Sequence, residues 1–189
     1  MIPLIKTLMP PQEELMPKLE RVLYSGYIAQ GDVVDEFEAE FSKFIGAKNC
    51  LSVNSGTSAL HIALILAGVK AGDEVISTPI TAEPTNTVIT QIGAKIIWAD
   101  IDLNTGNLCP DSVESKITVN TKAIMAVDYA GTPINIKRFH QLEKKYNIPV
   151  IQDSAHALGA TYKNSKLGTH FKYTTFSFQA IKHMTTVDG

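Results

Sequence analysis

The sequence predicts an α/β protein built on a three-layer, doubly wound and mostly parallel sheet. From about residue 49 onward, short apolar segments alternate with helix-like segments. Strands that are apolar along their whole length are typical of a sheet covered on both faces, and such sheets are largely parallel. Because crossovers between parallel strands are right-handed, the alternation predicts a doubly wound arrangement.

The first 45 residues are predicted to form a helical segment that packs on the large domain, residues 46–189. Pro10 and Pro11 precede a helix over Gln12–Tyr24. Its apolar face carries Leu15, Leu19, Val22 and Leu23. A second amphipathic helix covers Asp32–Ile45 and ends at Gly46. Its inward residues are expected to be Val34, Phe37, Phe41, Phe44 and Ile45.

The large domain is predicted from the alternation of strands and helices. The predicted strands are Cys50–Val53, Glu74–Thr78, Lys95–Ala99, Ala123–Val127, Val150–Gln152 and Tyr173–Phe178. The helices between them are Thr57–Ala67, Glu83–Ile92, Asp111–Ile117 and Ile136–Tyr146. In open α/β sheets ligands bind outside the carboxyl ends of the strands, so the residues that follow each strand are the first candidates for a site.

Composition and charge argue against several classes of function. The 189 residues carry 17 basic and 19 acidic side chains, a net charge of -2, so no basic excess indicates a nucleic-acid partner. No apolar run reaches the roughly 18 residues that span a bilayer, and Met1–Lys6 lacks the features of a signal peptide. The two cysteines, Cys50 and Cys109, are expected to be buried thiols. These features predict a cytoplasmic protein without membrane segments.

Small polar residues follow the first predicted strand and begin a helix, in the run Asn54-Ser55-Gly56-Thr57-Ser58. Free N–H groups and the positive end of the helix dipole favour an anion such as phosphate at this position. The same residues also fit simple N-capping by a serine or threonine. The run matches neither the dinucleotide fingerprint nor the P-loop.

An acid and a histidine follow the fifth predicted strand. Asp153 could bind a metal, orient a ribose, pair with a cationic ring nitrogen or cap a turn. His156 could reach the same ligand or lie at the surface. No further histidine or cysteine stands at ligand spacing, so a metal site is not expected.

A lysine and a serine lie at the end of the last predicted strand. Lys182 is either a surface lysine or a functional amine that forms a Schiff base, and Ser177 could add a phosphate contact. An anion site, a carboxylate and an amine at one edge of a sheet are what pyridoxal 5'-phosphate (PLP) requires.

Three motifs resemble the DegT/DnrJ/EryC1/StrS family of PLP-dependent sugar aminotransferases, which have the aspartate-aminotransferase fold (fold type I). They are Asn54–Leu60, Asp153–Ala160 and Phe176–Gly189. The resemblance covers essentially the whole chain. It implies that this is the large domain of that fold, incomplete at the C-terminus, and that the small C-terminal domain is absent, because family members are considerably longer.

The resemblance also implies roles for individual residues. Lys182 would form the Schiff base with the cofactor and move a proton during transfer, and Asp153 would keep the pyridine nitrogen protonated. His156 matches the position near the ring 3-oxygen. The phosphate would be bound by Gly56, Thr57 and Ser58 at the helix N-terminus, with a hydroxyl from Ser177.

Two residues depart from the family pattern. Ala82 stands where many members have an aromatic residue stacked on the cofactor ring, and Gln179 stands where histidine is common.

The resemblance implies transamination of a nucleotide-linked keto-sugar, with an amino acid (glutamate) as donor, in surface-polysaccharide or related sugar biosynthesis. It also implies a homodimer with a shared active site. Two alternatives stay open: a related PLP-dependent sugar dehydratase, in which histidine replaces the lysine, and a truncated chain without catalytic activity.

Overall fold

The computed structural model describes residues 6–187 and residue 189. The expectation for the extreme N-terminus therefore lies partly outside the described residues, as does Asp188 of the third motif.

Helices and strands alternate from residue 56 onward, as expected. The helices are α1 (Gln12–Leu23), α2 (Asp32–Ile45), α3 (Gly56–Leu66), α4 (Glu83–Gln91), α5 (Pro110–Lys116) and α6 (Ile136–Tyr146). The strands are β1 (Glu74–Ser77), β2 (Lys95–Trp98), β3 (Thr121–Val127), β4 (Val150–Asp153), β5 (Thr161–Tyr162), β6 (Ser165–Lys166) and β7 (Tyr173–Thr175). A single 3-10 turn, Tyr129–Gly131, follows β3.

Five strands form one sheet in the order β2-β1-β3-β4-β7, and every neighbouring pair is parallel. The predicted mostly parallel α/β fold is therefore confirmed. Strands β5 and β6 form a separate antiparallel hairpin, which the sequence analysis did not predict. The sheet brings the last residues of β3, β4 and β7 to one edge, since Val127 pairs with Asp153 and Asp153 with Thr175.

Two hydrophobic cores lie on opposite faces of the sheet, because successive strand residues point to opposite sides. Val75 of β1 packs with apolar residues of α3 and α4, whereas the adjacent Ile76 packs with those of α5 and α6. Both residues are fully buried. The helices on the two faces and the sheet between them form the expected three layers.

The predicted strand Cys50–Val53 is wrong, because the segment has no strand partner within the described residues. The Ser52 backbone N–H and hydroxyl instead donate to Glu38 Oε1 on α2, at 2.7 and 2.8 Å. Leu51 is 75% exposed. Cys50 and Cys109 are only half-buried, not fully buried as expected.

The predicted strand Tyr173–Phe178 is too long, because pairing with β4 ends at Thr175. After that point β4 turns away at Ser154, whose N–H donates to Thr175 O at 2.8 Å. The following residues, Phe176 and Phe178, leave the sheet and pack edge-on against Phe41 of α2, each at a ring distance of 5.3 Å.

The two N-terminal helices differ in how they pack. Helix α2 contacts the large domain through buried Phe41 and Ile45, whereas α1 has no buried residue despite its predicted apolar face. Phe44 is 46% exposed and not inward as expected, and the Lys166 ammonium lies 3.7 Å from the centre of its ring. The division at residue 45 into a segment and a domain stays a prediction.

Replacement of Phe41 by alanine should lower the free energy of unfolding by about 3 kcal/mol, because it removes the ring between α2 and the Phe176–Phe178 segment. Urea denaturation followed by circular dichroism measures the change. Phe44→Ala on the same helix is the control and should cost about 0.5 kcal/mol. Equal losses for the two variants would contradict the packing described for α2.

Candidate active site

Asp153 is the last residue of β4, and its carboxylate is buried at the carboxyl edge of the sheet. The Thr85 hydroxyl donates to Oδ2 at 2.7 Å, and the Ala155 backbone N–H donates to Oδ1 at 3.1 Å. Thr85 is also within 2.7 Å of the Thr81 hydroxyl. Two donors on different elements thus fix the orientation of this acid.

Thr85 was missed by the sequence analysis. It is fully buried and lies in the first turn of α4, the helix that follows β1. The signal that could have found it is a hydroxyl residue at the start of a helix, just beyond the carboxyl end of a parallel strand.

A cleft of about 310 Å³ lies beside Asp153. Its lining residues are Ala130, Ala155, His156, Ile181, Lys182 and His183. The structure thus places the predicted Lys182 and His156 in one cleft. Burial lowers the pKa of the Lys182 amine, and the Asp153 carboxylate partly opposes this effect. More of this amine is therefore neutral, and able to act as a nucleophile, than in an exposed lysine.

His156 is half-buried in the same cleft, next to the ring of Tyr129 at 6.2 Å between centroids. Burial lowers the pKa of the imidazole, and the positive charge of Lys182 lowers it further. The Asp153 carboxylate acts in the opposite direction. At neutral pH the ring is therefore mainly uncharged and can donate or accept a hydrogen bond.

The N-terminus of α3 is capped by Ser55, whose hydroxyl oxygen accepts the Ser58 backbone N–H at 3.1 Å. The Ser58 hydroxyl in turn donates to Asn54 Oδ1 at 2.7 Å. The capping expected from the sequence is therefore present. It leaves the N–H groups of Gly56 and Thr57 without a partner in the part of the chain that the structure describes. Such free N–H groups can bind an anion.

Ser177 reaches the same helix terminus. A Cβ added to Gly56 would lie 3.0 Å from Ser177 Cβ and 3.4 Å from Phe176 O, closer than most side-chain contacts, so glycine favours this close approach. The turn from Ser177 to Lys182 is held by Gln179, whose N–H donates to the Ser177 hydroxyl oxygen and whose carbonyl accepts the Lys182 N–H. This turn connects the helix terminus to the cleft.

The two departures from the family pattern lie near the site. Ala82 is exposed and precedes α4 at its N-cap. The side-chain oxygen of Gln179 accepts the Ile181 N–H at 3.0 Å, so this side chain shapes the turn before Lys182.

A model of the DegT/DnrJ/EryC1/StrS aminotransferase family matches residues 11–189. The chain belongs to the DegT/DnrJ/EryC1/StrS aminotransferase family. The resemblance seen in the three sequence motifs is therefore confirmed.

Alignments with several related proteins and solved structures cover nearly all of the chain. The spore coat polysaccharide biosynthesis protein SpsC of Bacillus subtilis is 37% identical over 94% of the chain and 46% of its own length. The crystal structure of AtS13 from Actinomadura melliaura superposes with a TM-score of 0.94, at 39% identity, over 100% of this chain and 52% of that one. The chain thus spans about half the length of these relatives.

A third relative has been solved in cofactor-bound forms. The putative sugar aminotransferase Spr1654 of Streptococcus pneumoniae, in its PLP form, superposes with a TM-score of 0.91 at 33% identity. The match covers 100% of this chain and 51% of that one. A PMP form of the same protein matches equally well.

Two further observations concern the described residues only. They contain no group of three or more side chains that could hold a metal ion. None of their helices is long and apolar enough to cross a membrane.

The lowered pKa of Lys182 predicts how the reaction rate of its amine changes with pH. An amine with a lowered pKa becomes neutral at lower pH, so its acylation should reach half its maximal rate below the ordinary lysine value of about 10.4. Trace labelling with acetic anhydride, followed by peptide mass spectrometry across a pH series, measures the profile. A half-point at or above the ordinary value would contradict the burial of this amine.

Proposed function

We propose that the protein is a PLP-dependent aminotransferase that converts a nucleotide-linked keto-sugar into an amino-sugar. The observation that carries this proposal is the convergence of Asp153, Lys182 and the α3 N-terminus at one edge of the sheet. Membership of an aminotransferase family supports the reaction type. Structural similarity to solved sugar aminotransferases supports the sugar substrate.

The chain's own residues fit PLP at its phosphate, its ring nitrogen and its aldehyde. Among the described residues the N–H groups of Gly56 and Thr57 have no partner, and a phosphate fits them, with the hydroxyls of Thr57, Ser58 and Ser177 nearby. The lack of a Cβ at Gly56 lets the Ser177 hydroxyl lie close to the same helix terminus, since an added Cβ would be 3.3 Å from its oxygen. Asp153 offers a buried carboxylate to a protonated ring nitrogen, and Lys182 offers an amine of lowered pKa to an aldehyde.

When bound, PLP supplies an electron sink that stabilises negative charge on the carbon from which a proton is removed. The carboxylate of Asp153, oriented by Thr85, would keep the ring nitrogen protonated and so strengthen that sink. The largely uncharged His156 would contact the ring 3-oxygen. Lys182, once released from the cofactor by the incoming amine, would carry the proton between donor carbon and cofactor carbon as a general base and acid.

The substrate and partners form the finer part of the proposal. We propose glutamate as amino donor. We also propose a role in surface-polysaccharide or related sugar biosynthesis, supported by the similarity to the spore coat polysaccharide biosynthesis protein SpsC. We also propose a cytoplasmic homodimer whose partner completes the site. Apolar side chains exposed on α3, with Ile65 54% and Leu66 62% exposed, support a further packing surface there.

The dehydratase alternative is disfavoured by the amine in the cleft, because those relatives have histidine where Lys182 stands. An inactive chain remains the other alternative. Product analysis separates the two enzymes, since one yields an amino-sugar and the other loses a sugar hydroxyl.

Borohydride reduction of the protein purified with its bound PLP should add a pyridoxyl phosphate to one residue, which peptide mass spectrometry should locate at Lys182. Lys182→Ala should abolish the adduct and lower multiple-turnover transamination by a factor on the order of a thousand. Asp153→Asn should keep the adduct but lower turnover strongly, because the ring nitrogen loses its counter-charge.

The matched control is Lys163→Ala, which removes an exposed lysine outside the cleft and should keep both adduct and turnover. An adduct on another lysine, or full turnover by Lys182→Ala, would overturn the proposed role of Lys182.

A further inference from the structure

We infer that Asp128 is a positioning residue for Asp153, an inference that rests on the proposed function. Asp128 directly follows β3, and its side chain is fully buried. Its carboxylate accepts hydrogen bonds from three side-chain and backbone groups. They are the Ile134 N–H at 3.0 Å, Gln152 Nε2 at 2.9 and 3.2 Å to the two oxygens, and the Ser154 hydroxyl at 2.6 Å.

Two of these donors, Gln152 and Ser154, are the chain neighbours of Asp153. Alternation along β4 turns their side chains to the sheet face opposite that of Asp153. The Asp128 backbone N–H also donates to Asp153 O at 2.9 Å. The Asp128 carboxylate therefore binds the side chains on both sides of Asp153, and the Asp128 N–H binds the Asp153 carbonyl, while the Asp153 carboxylate itself is not contacted.

The hydrogen-bond network around Asp128 connects the ends of three strands, β3, β4 and β7. Gln152 Oε1 accepts the Thr174 hydroxyl of β7 at 3.4 Å, and the Ser154 N–H donates to Thr175 O at 2.8 Å. On the opposite face, Thr85 holds the Asp153 carboxylate itself. Loss of the Asp128 bonds would let the end of β4 shift, which would move the carboxylate away from the ring nitrogen it is proposed to pair with.

Electrostatics give Asp128 a second link to the site. Burial raises its pKa, the bonds from Ser154, Ile134 and Gln152 oppose that rise, and the negative charge of Asp153 adds to it. If these side chains served packing alone, neutral residues could replace Asp128 and would not be repelled by the charge of Asp153. A cation bound next to Asp153 would relieve that repulsion, so both carboxylates favour the same protonated ring.

The test compares Asp128→Asn and Ser154→Ala with the parent, each purified as the PLP-bound protein. An asparagine amide cannot accept from every donor around Asp128, and Ser154→Ala removes a single bond while conserving the fold. Thr121→Val is the matched control, because Thr121 is a buried hydroxyl residue at the opposite end of β3 that accepts the Thr118 N–H. Three quantities are measured: the Kd for PLP, the pH midpoint of its visible absorbance, and Tm.

We expect Asp128→Asn to raise the Kd for PLP about tenfold, as for a lost hydrogen bond to a charged group. Ser154→Ala should raise it by a smaller factor, and both should shift the pH midpoint of the bound cofactor. Thr121→Val should lower Tm alone.

Two failures are distinguishable. If the parent binds no PLP, the proposed function fails. If the parent binds PLP but Ser154→Ala and every folded Asp128 variant change Tm only, with Kd and pH midpoint unmoved, Asp128 is a structural residue and the inference is overturned.

Discussion

The architecture of this site depends on a buried carboxylate at the end of a parallel strand. An ionised carboxylate in the interior loses its hydration, a cost of several kcal/mol unless charge or hydrogen bonds offset it. For Asp153 the offset comes from the Thr85 hydroxyl on one oxygen and the Ala155 N–H on the other. Those donors are in place only because α4 and the turn after β4 converge there, so the hydrogen bonding of this buried acid depends on the position of both elements.

The remaining parts of the site follow from the same sheet edge. Strand β7 runs beside β4, and the chain that leaves it passes first the N-terminus of α3 and then the cleft. Gly56 favours the first approach, because an added Cβ would lie only 3.0 Å from Ser177 Cβ. The Gln179 turn then returns Lys182 to the cleft beside Asp153 and His156. The segment from Ser177 to Lys182 thereby links the N-terminus of α3 to the cleft that holds the amine.

Much of the fold was predictable because it is encoded in local patterns. The apolar strands and the helices between them are periodic over many residues, and α2 and α6 begin and end where the sequence predicts. Cys50–Val53 has the same apolar character but no strand partner within the described residues, so local pattern alone could not decide its state. Likewise, the spacing of apolar residues in α1 predicts a helix, but it does not reveal which surface, if any, packs against its apolar face.

The site was predictable where a single residue follows a strand, and not where side chains meet across the fold. Asp153 ends strand β4, and Lys182 lies in the segment that follows β7, so both could be identified in the sequence. Thr85 lies 68 positions from the carboxylate to which it donates, and Asp128 lies 26 positions from Ser154. Only the pairing of β3 with β4 brings the second pair together, so no local motif could reveal it.

In the proposed function, Asp153 holds the ring nitrogen of PLP in its protonated form. The most direct measurement is the nitrogen NMR chemical shift of PLP labelled with ¹⁵N in the ring and bound to the protein. The account predicts the shift of a protonated pyridine nitrogen in the parent, and its loss in Asp153→Asn. A neutral pyridine nitrogen in the parent, in a protein whose Lys182 is joined to the cofactor, would contradict it.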